Sequence, residues 1–159
     1  MVELVCTKYP VPKKYKKCAI KTKEFVNSAV EFIKNNPSLS NEEIFAELSK
    51  LETPYNYYVV YGNTCKNKGI LLYHGPSGFL SQEDPCGKDK PPVGNNLWNY
   101  KSLNGEFSVR IFYEISKRGC GWYSYYWINP LGNISPKYHY IVNVPERDFL
   151  ISSGFNVFC

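Results

Sequence analysis

An aromatic run at residues 121–127, Gly-Trp-Tyr-Ser-Tyr-Tyr-Trp, most constrains what this chain folds into. Aromatic residues favour β-strands, and the side chains of a strand alternate between its two faces. Tyr125 and Trp127 therefore share one face, and Trp122 and Tyr126 share the other. Because both faces are bulky, at least one of them must be covered. We expect Tyr125 and Trp127 to face a pocket, and Trp122 and Tyr126 to pack on the opposite side.

The residues after this run predict a broad antiparallel hairpin. Residues 129–133 have the composition of a turn, and residues 136–144 are again rich in strand-forming side chains. A shorter hairpin is predicted upstream by residues 57–61 and 70–74, and residues 149–157 predict a closing strand.

Helical patterns occupy the first third of the chain. Apolar residues between positions 15 and 33 recur at three- and four-residue steps, which predicts a long helix. Pro37 prevents this helix from continuing. Ser40 and Glu43 have the spacing of a capping box and predict the start of a second helix.

A third helix is predicted from residue 107 to a stop at Gly119, after a long loop at residues 75–96. Helices, a hairpin, a helix and three antiparallel strands make an α+β fold. The length of 159 residues predicts one domain. We expect residues 1–12 to form an irregular N-terminal segment and residues 13–159 to form the domain.

Six cysteines, none in a C-x-x-C pair, bear on the compartment. An even number at wide spacing is typical of disulfides in an oxidising compartment, and the connectivity is open. Structural zinc sites show close-spaced ligand pairs, so we expect no metal site. The alternative is a reduced protein with buried thiols. The disulfide candidates are Cys6, Cys18, Cys65, Cys86, Cys120 and Cys159.

Targeting signals are not visible in this sequence. No apolar stretch is long enough for a membrane helix, and the residues after Met1 are not a basic and then apolar signal region. Because of the cysteines, we expect a mature or trimmed chain outside the cytoplasm, either periplasmic or secreted. A cytoplasmic protein is the alternative.

Charge and motif content argue against nucleic-acid binding and against catalysis. The net charge is +5, with a lysine cluster at residues 13–23, but no nucleic-acid-binding module accompanies the cluster. A solvated helix face explains it. His74 and His139 are the only histidines, and phosphate-binding, dinucleotide-binding and metalloprotease motifs are all missing. We expect no enzyme activity and no cofactor, and we expect His139 to be a structural strand residue.

The aromatic run fits a binding pocket better than an active site. Small-ligand pockets combine aromatic walls with a few placed polar groups. Lys137 lies across the turn from the run and would supply the charge that fixes an anionic ligand. The simpler alternative is that the aromatic stripe belongs to the core.

The residues of the second hairpin and its surroundings resemble the single Cache domain family. The resemblance spans roughly residues 20–155, and the hairpin motif is its most specific part. The matching segments are 29–33, 57–74, 94–99, 104–107, 121–130, 136–140 and 151–155.

This resemblance implies a long N-terminal helix packed on a PAS-like antiparallel sheet. Cache domains are usually extracellular sensors of chemoreceptors and histidine kinases, and they are not enzymes. They bind small molecules in a pocket on the sheet, here a short carboxylate or an amino acid. The implied ligand-binding residues are Tyr57, His74, Arg110, Tyr125, Trp127, Lys137 and Tyr140.

Two further expectations concern partners. The N-terminal helix is the expected surface for a protein partner or a second copy of the chain. The chain lacks flanking membrane helices and a signalling module, so it is either a free-standing version or an excised receptor fragment. The alternative function is a secreted protein–protein interaction module that keeps the fold without a ligand, because aromatic residues are enriched at interfaces.

Overall fold

The computed structural model describes residues 6, 11–53, 55–64, 66–75, 78–79, 93–129 and 131–156. The predictions that concern Cys65, Cys86 and Cys159 lie outside these residues, as do most of the 1–12 segment and most of the 75–96 loop.

The long first helix forms where the apolar periodicity predicts it. Helix α1 spans Lys16–Asn35 and follows a single 3-10 turn at Lys13–Tyr15. Its buried residues recur at helical spacing and form one apolar stripe. None of the helices in the described part of the chain combines the length and the hydropathy needed to cross a membrane.

The second helix begins where the local sequence predicts, and the third helix lies within its predicted range. Helix α2 spans Asn41–Ser49, and the predicted capping box is formed: Glu43 N donates to Ser40 Oγ, and Ser40 N donates to the Glu43 carboxylate. Helix α3 spans Ser108–Lys117. Gly119 follows it with a φ of 99°, a backbone conformation that residues other than glycine rarely adopt.

The strands form one antiparallel sheet in the order β3-β2-β1-β6-β5-β4. The last strand of the chain thus joins the two hairpins, and all of its residues are buried. The strands are β1 (Val59–Gly62), β2 (Leu71–His74), β3 (Gly78–Phe79), β4 (Cys120–Ile128), β5 (Ile134–Val144) and β6 (Phe149–Phe155).

Helices cover the two faces of the sheet unequally. Helix α1 packs on β5 and β6 from one side, where most of the apolar core lies. Tyr58 anchors this contact: its ring stacks on Phe25 with centroids 4.0 Å apart, and its hydroxyl donates to the Phe25 carbonyl at 3.0 Å. Helix α3 packs on β4 and β5 from the other side. The predicted α+β arrangement is confirmed.

Disulfides secure the N-terminal part of the chain. Cys6 and Cys120 are bonded across a separation of 114 residues, with their Cα atoms 5.7 Å apart, and both are buried in the core. Cys18 is also disulfide-bonded. The expectation of disulfides is therefore confirmed for these cysteines, and the alternative of free buried thiols does not hold for them.

Candidate ligand-binding site

A cavity of about 430 Å³ lies on the α3 side of the sheet. Side chains from β1, β2, β4 and β5 form its floor, and α3 forms one wall. The loop of residues 97–102, which we call the covering loop, closes it through Leu97, Tyr100 and Ser102. Among the described residues, α3 is the helix that packs on this face of the sheet.

Lys137 brings a positive charge into this cavity. Strand alternation directs its side chain to the α3 face, opposite Tyr125 on the paired strand. Lys137 is only 9% exposed, and its Nζ donates to the Tyr57 hydroxyl at 2.7 Å. Among the described residues no carboxylate forms an ion pair with it. The ammonium group is thus buried with a neutral partner.

His139 lies two residues further along β5, so it faces the same cavity. It is 2% exposed, its ring stacks on Tyr125 with centroids 5.2 Å apart, and its Nε2 lies 3.1 Å from the Tyr125 hydroxyl. Burial, Lys137 and His74 lower the pKa of His139 well below its usual value, so the ring is neutral near pH 7. No described group hydrogen-bonds to its Nδ1.

Gly154 explains how the His139 ring is accommodated. The two residues pair across β5 and β6. A Cβ atom at position 154 would lie 2.7 Å from His139 Nε2, closer than packed atoms approach. His139 was expected to be a structural strand residue, and the structure places it in the lining of the cavity. Its i, i+2 spacing from Lys137 places both side chains on one face.

Tyr57 and His74 form another wall of the cavity. Their rings meet edge to face with centroids 5.3 Å apart. The carboxylate of Glu52 holds the adjoining residues, because it accepts hydrogen bonds from Tyr58 N at 2.8 Å and from the Tyr73 hydroxyl. Burial raises the pKa of Glu52 to about 7, against the lowering effect of the Tyr58 backbone hydrogen bond.

Arg110 lies outside the cavity and holds the covering loop. Its Nε donates to the Trp98 carbonyl at 2.9 Å, and its Nη2 donates to the Asn99 side chain. Lys68 adds a second attachment, because its Nζ lies 4.2 Å from the ring centroids of both Trp98 and Tyr113.

Tyr140 also lies outside the cavity. An odd separation from Lys137 on the same strand directs it to the α1 face, where its ring packs 5.2 Å from that of Trp122. Trp122 thus packs on the side opposite the cavity, as expected, whereas Tyr126 is 50% exposed. The structure brings together the other expected residues around the cavity: Tyr57, His74, Tyr125, Trp127 and Lys137.

The arrangement suits binding. It offers one buried ammonium group, one neutral imidazole and several Tyr hydroxyls within an aromatic enclosure. The described residues contain no cluster of three or more metal-ligating side chains.

Comparison with known proteins gives a family-model match over part of the chain and a shared fold over most of it. The family model of single Cache domain 2 matches residues 87–157. No curated protein matches the chain in sequence.

Solved structures of chemosensory proteins share the fold. A methyl-accepting chemotaxis protein from Vibrio parahaemolyticus matches with a TM-score of 0.67 and 17% identity, over 92% of this chain and 93% of its own. The periplasmic sensor domain of a chemotaxis protein matches with a TM-score of 0.61 and 16% identity, over 89% and 99%. A Cache chemosensory domain, described for its recognition of carboxylic acids, matches with a TM-score of 0.61 and 16% identity, over 90% and 95%. The resemblance to the single Cache domain family is therefore confirmed, by the family model over residues 87–157 and by the fold of Cache sensor domains over about nine-tenths of the chain.

Proposed function

We propose that this Cache sensor domain binds a small carboxylate in the cavity between the sheet and α3. The observation that carries the proposal is the Lys137 ammonium group, which is buried in the cavity and unpaired with any described carboxylate. Tyr57 accepts a hydrogen bond from this group but brings no opposite charge, and a buried charge without an oppositely charged partner is costly. A ligand anion would offset this cost, so the cavity favours an anionic guest.

The groups around Lys137 support a carboxylate in particular. The Tyr57 hydroxyl already accepts from Lys137 Nζ, so its own proton is free to be donated to a second acceptor. The ammonium group and the hydroxyl, whose Nζ and oxygen atoms lie 2.7 Å apart, can each donate to one of the two oxygens of a carboxylate. His74 completes the same wall.

A thermal-shift panel of short carboxylates, amino acids and amines tests this proposal. A ligand at 100 times its Kd stabilises the folded state by about 2.7 kcal/mol. For a chain of this size that raises the Tm by roughly 5–10 °C. We expect at least one carboxylate to give such a shift with the wild type and no shift with Lys137→Met.

The control for this panel is Lys117→Met, which removes an exposed lysine that pairs with Glu114 on the surface. This variant keeps the wild-type shift. Without ligand, Lys137→Met is at least as stable as the wild type, because a buried unpaired charge is replaced by an apolar side chain. Equal ligand shifts in wild type and Lys137→Met would contradict the proposal.

We also propose that the domain works outside the cytoplasm. The Cys6–Cys120 disulfide and the bonded Cys18 support this location, since such bonds persist in oxidising compartments. Mass spectrometry of the natively produced protein, with and without reductant, tests it. Free thiols at Cys6, Cys18 and Cys120 would contradict the location.

A surface at the tip of the second hairpin favours the alternative function, a protein-interaction module. Ile128, Leu131 and Ile134 are 58%, 69% and 65% exposed, and they lie close together around the turn. If no ligand in the panel shifts the Tm of the wild type, this surface becomes the better candidate site. Pairing of two copies through α1 stays a prediction, which light scattering of the purified domain would test.

A further inference from the structure

We infer that the cavity selects an aromatic monocarboxylate, whose carboxylate meets Lys137 and whose ring packs among the aromatic side chains of the cavity. The inference rests on the proposed function and specifies the ligand class. It has three supports, which are the volume of the cavity, the chemistry of its walls and its distribution of charge.

The volume exceeds what the smallest carboxylates fill. A cavity of about 430 Å³ holds about 14 water molecules at roughly 30 Å³ each. Propionate has five non-hydrogen atoms and would displace only about a third of that water. A phenyl group attached to its end would displace about six more water molecules. The cavity therefore has room for a ring beside the carboxylate.

The walls are suited to a planar apolar group. The aromatic side chains that line the cavity are Tyr57, Tyr61, Tyr100, Phe112, Tyr125 and Trp127. Several of them meet edge to face: Tyr61 and Phe112 at 5.9 Å, and Tyr125 and Trp127 at 6.1 Å between centroids. An edge-to-face pair leaves ring faces available, and a guest ring gains offset-stacked or edge-to-face contacts with them.

The charges around the cavity determine the sign of the charge that a ligand carries, and they exclude a zwitterion. An aromatic enclosure alone also suits a cation such as a quaternary ammonium. Lys137 repels such a guest. No Asp or Glu is among the described residues that line the cavity, so the ammonium group of an amino acid would find no ionised acceptor there. His139 is neutral, because its pKa is well below the usual value, and adds no charge to the cavity.

Four ligands that differ by one feature at a time test the inference by titration calorimetry on the wild-type domain. Propionate and 3-phenylpropionate differ by the ring. Phenylalanine is 3-phenylpropionate with an ammonium group added at carbon 2. 3-Cyclohexylpropionate keeps the bulk and removes the aromatic character.

We expect the ring to tighten binding by about 10- to 100-fold over propionate, because it buries one large apolar group. The added ammonium group of phenylalanine weakens binding at least tenfold relative to 3-phenylpropionate. The saturated ring binds about two- to tenfold more weakly than the aromatic one, in line with the aromatic contribution beyond buried area.

A variant locates the ring within the cavity. We expect Trp127→Leu to weaken binding of 3-phenylpropionate more than binding of 3-cyclohexylpropionate, since it removes an aromatic contact and keeps an apolar wall. If this variant does not fold, the comparison of the four ligands on the wild-type domain still tests the inference. Propionate binding as tightly as 3-phenylpropionate, or phenylalanine binding more tightly, would overturn the inference and leave the proposed carboxylate function intact. Absence of binding by all of the carboxylates would instead count against the proposed function itself.

Discussion

Replacing Glu52 with glutamine gives a sharp test of the electrostatics around the cavity wall. The Glu52 carboxyl accepts from Tyr58 N and from the Tyr73 hydroxyl, and burial raises its pKa from 4.5 to about 7. In the unfolded chain the group has its ordinary pKa. The folded state therefore binds this proton more tightly than the unfolded state does.

The sign and size of the effect follow from linkage. Stability from this group is fully present below about pH 4.5 and is lost as the pH rises through about 7. Each pKa unit is worth about 1.4 kcal/mol, so the full difference is about 3 kcal/mol. Because solvent reaches part of the Glu52 side chain, screening reduces this stability difference to about 1–3 kcal/mol. Glu52→Gln imitates the protonated form at every pH.

We expect Glu52→Gln and the wild type to have similar unfolding free energies near pH 4.5. At pH 8 the variant should be more stable by about 1–3 kcal/mol. Urea unfolding of both proteins at several values between pH 4.5 and 8 measures this difference. Glu47→Gln is the matched control, because Glu47 is exposed and pairs with Lys50 on the surface. A constant difference between Glu52→Gln and wild type across this range would refute the reasoning.

Three further changes test other parts of the structure. Arg110→Met removes both hydrogen bonds to the covering loop, so we expect faster amide hydrogen exchange in that loop than in the wild type, with unchanged exchange in β6. Cys120→Ala removes the Cys6–Cys120 bond and should cost about 2–5 kcal/mol of unfolding free energy in urea, whereas a loss under 1 kcal/mol would show that this bond adds little. Gly154→Ala should displace the His139 ring and cost about 1–3 kcal/mol, which a wild-type melting curve would contradict.

Local sequence patterns predicted most of the fold. The helical spacing before Pro37, the capping box at Ser40 and the turn at residues 129–133 each follow from interactions between near neighbours. Such interactions are readable in sequence because the period of a helix or strand is fixed by its backbone geometry. The short strand Gly78–Phe79 was not predicted, because two residues carry no period.

The candidate site was only partly predictable, and the strand register explains why. Alternation along β5 places Lys137 and His139 on one face and Tyr140 on the other, so the choice of Lys137 already implied the positions of the other two. Alternation does not reveal which face packs against the long helix α1 and which face forms the cavity beneath α3. That difference depends on packing between segments distant in sequence, such as α1 against β6.

Arg110 shows a second limit of sequence patterns. The resemblance to the single Cache domain family made it a candidate ligand-binding residue. Its actual partners, the Trp98 carbonyl and the Asn99 side chain, belong to an irregular loop whose path no period predicts. The side chain thus contacts the covering loop and does not line the cavity.

Tyr57 and Tyr58 are neighbours in the chain whose side chains lie on opposite faces of the sheet. The Tyr57 hydroxyl accepts from Lys137 in the cavity, and the Tyr58 hydroxyl donates to the α1 backbone. One peptide unit thus connects a residue that lines the cavity with a residue that is hydrogen-bonded to α1. A ligand that contacts Lys137 and Tyr57 is thus one peptide unit away from the hydrogen bond that Tyr58 makes with α1 at Phe25, midway along the helix.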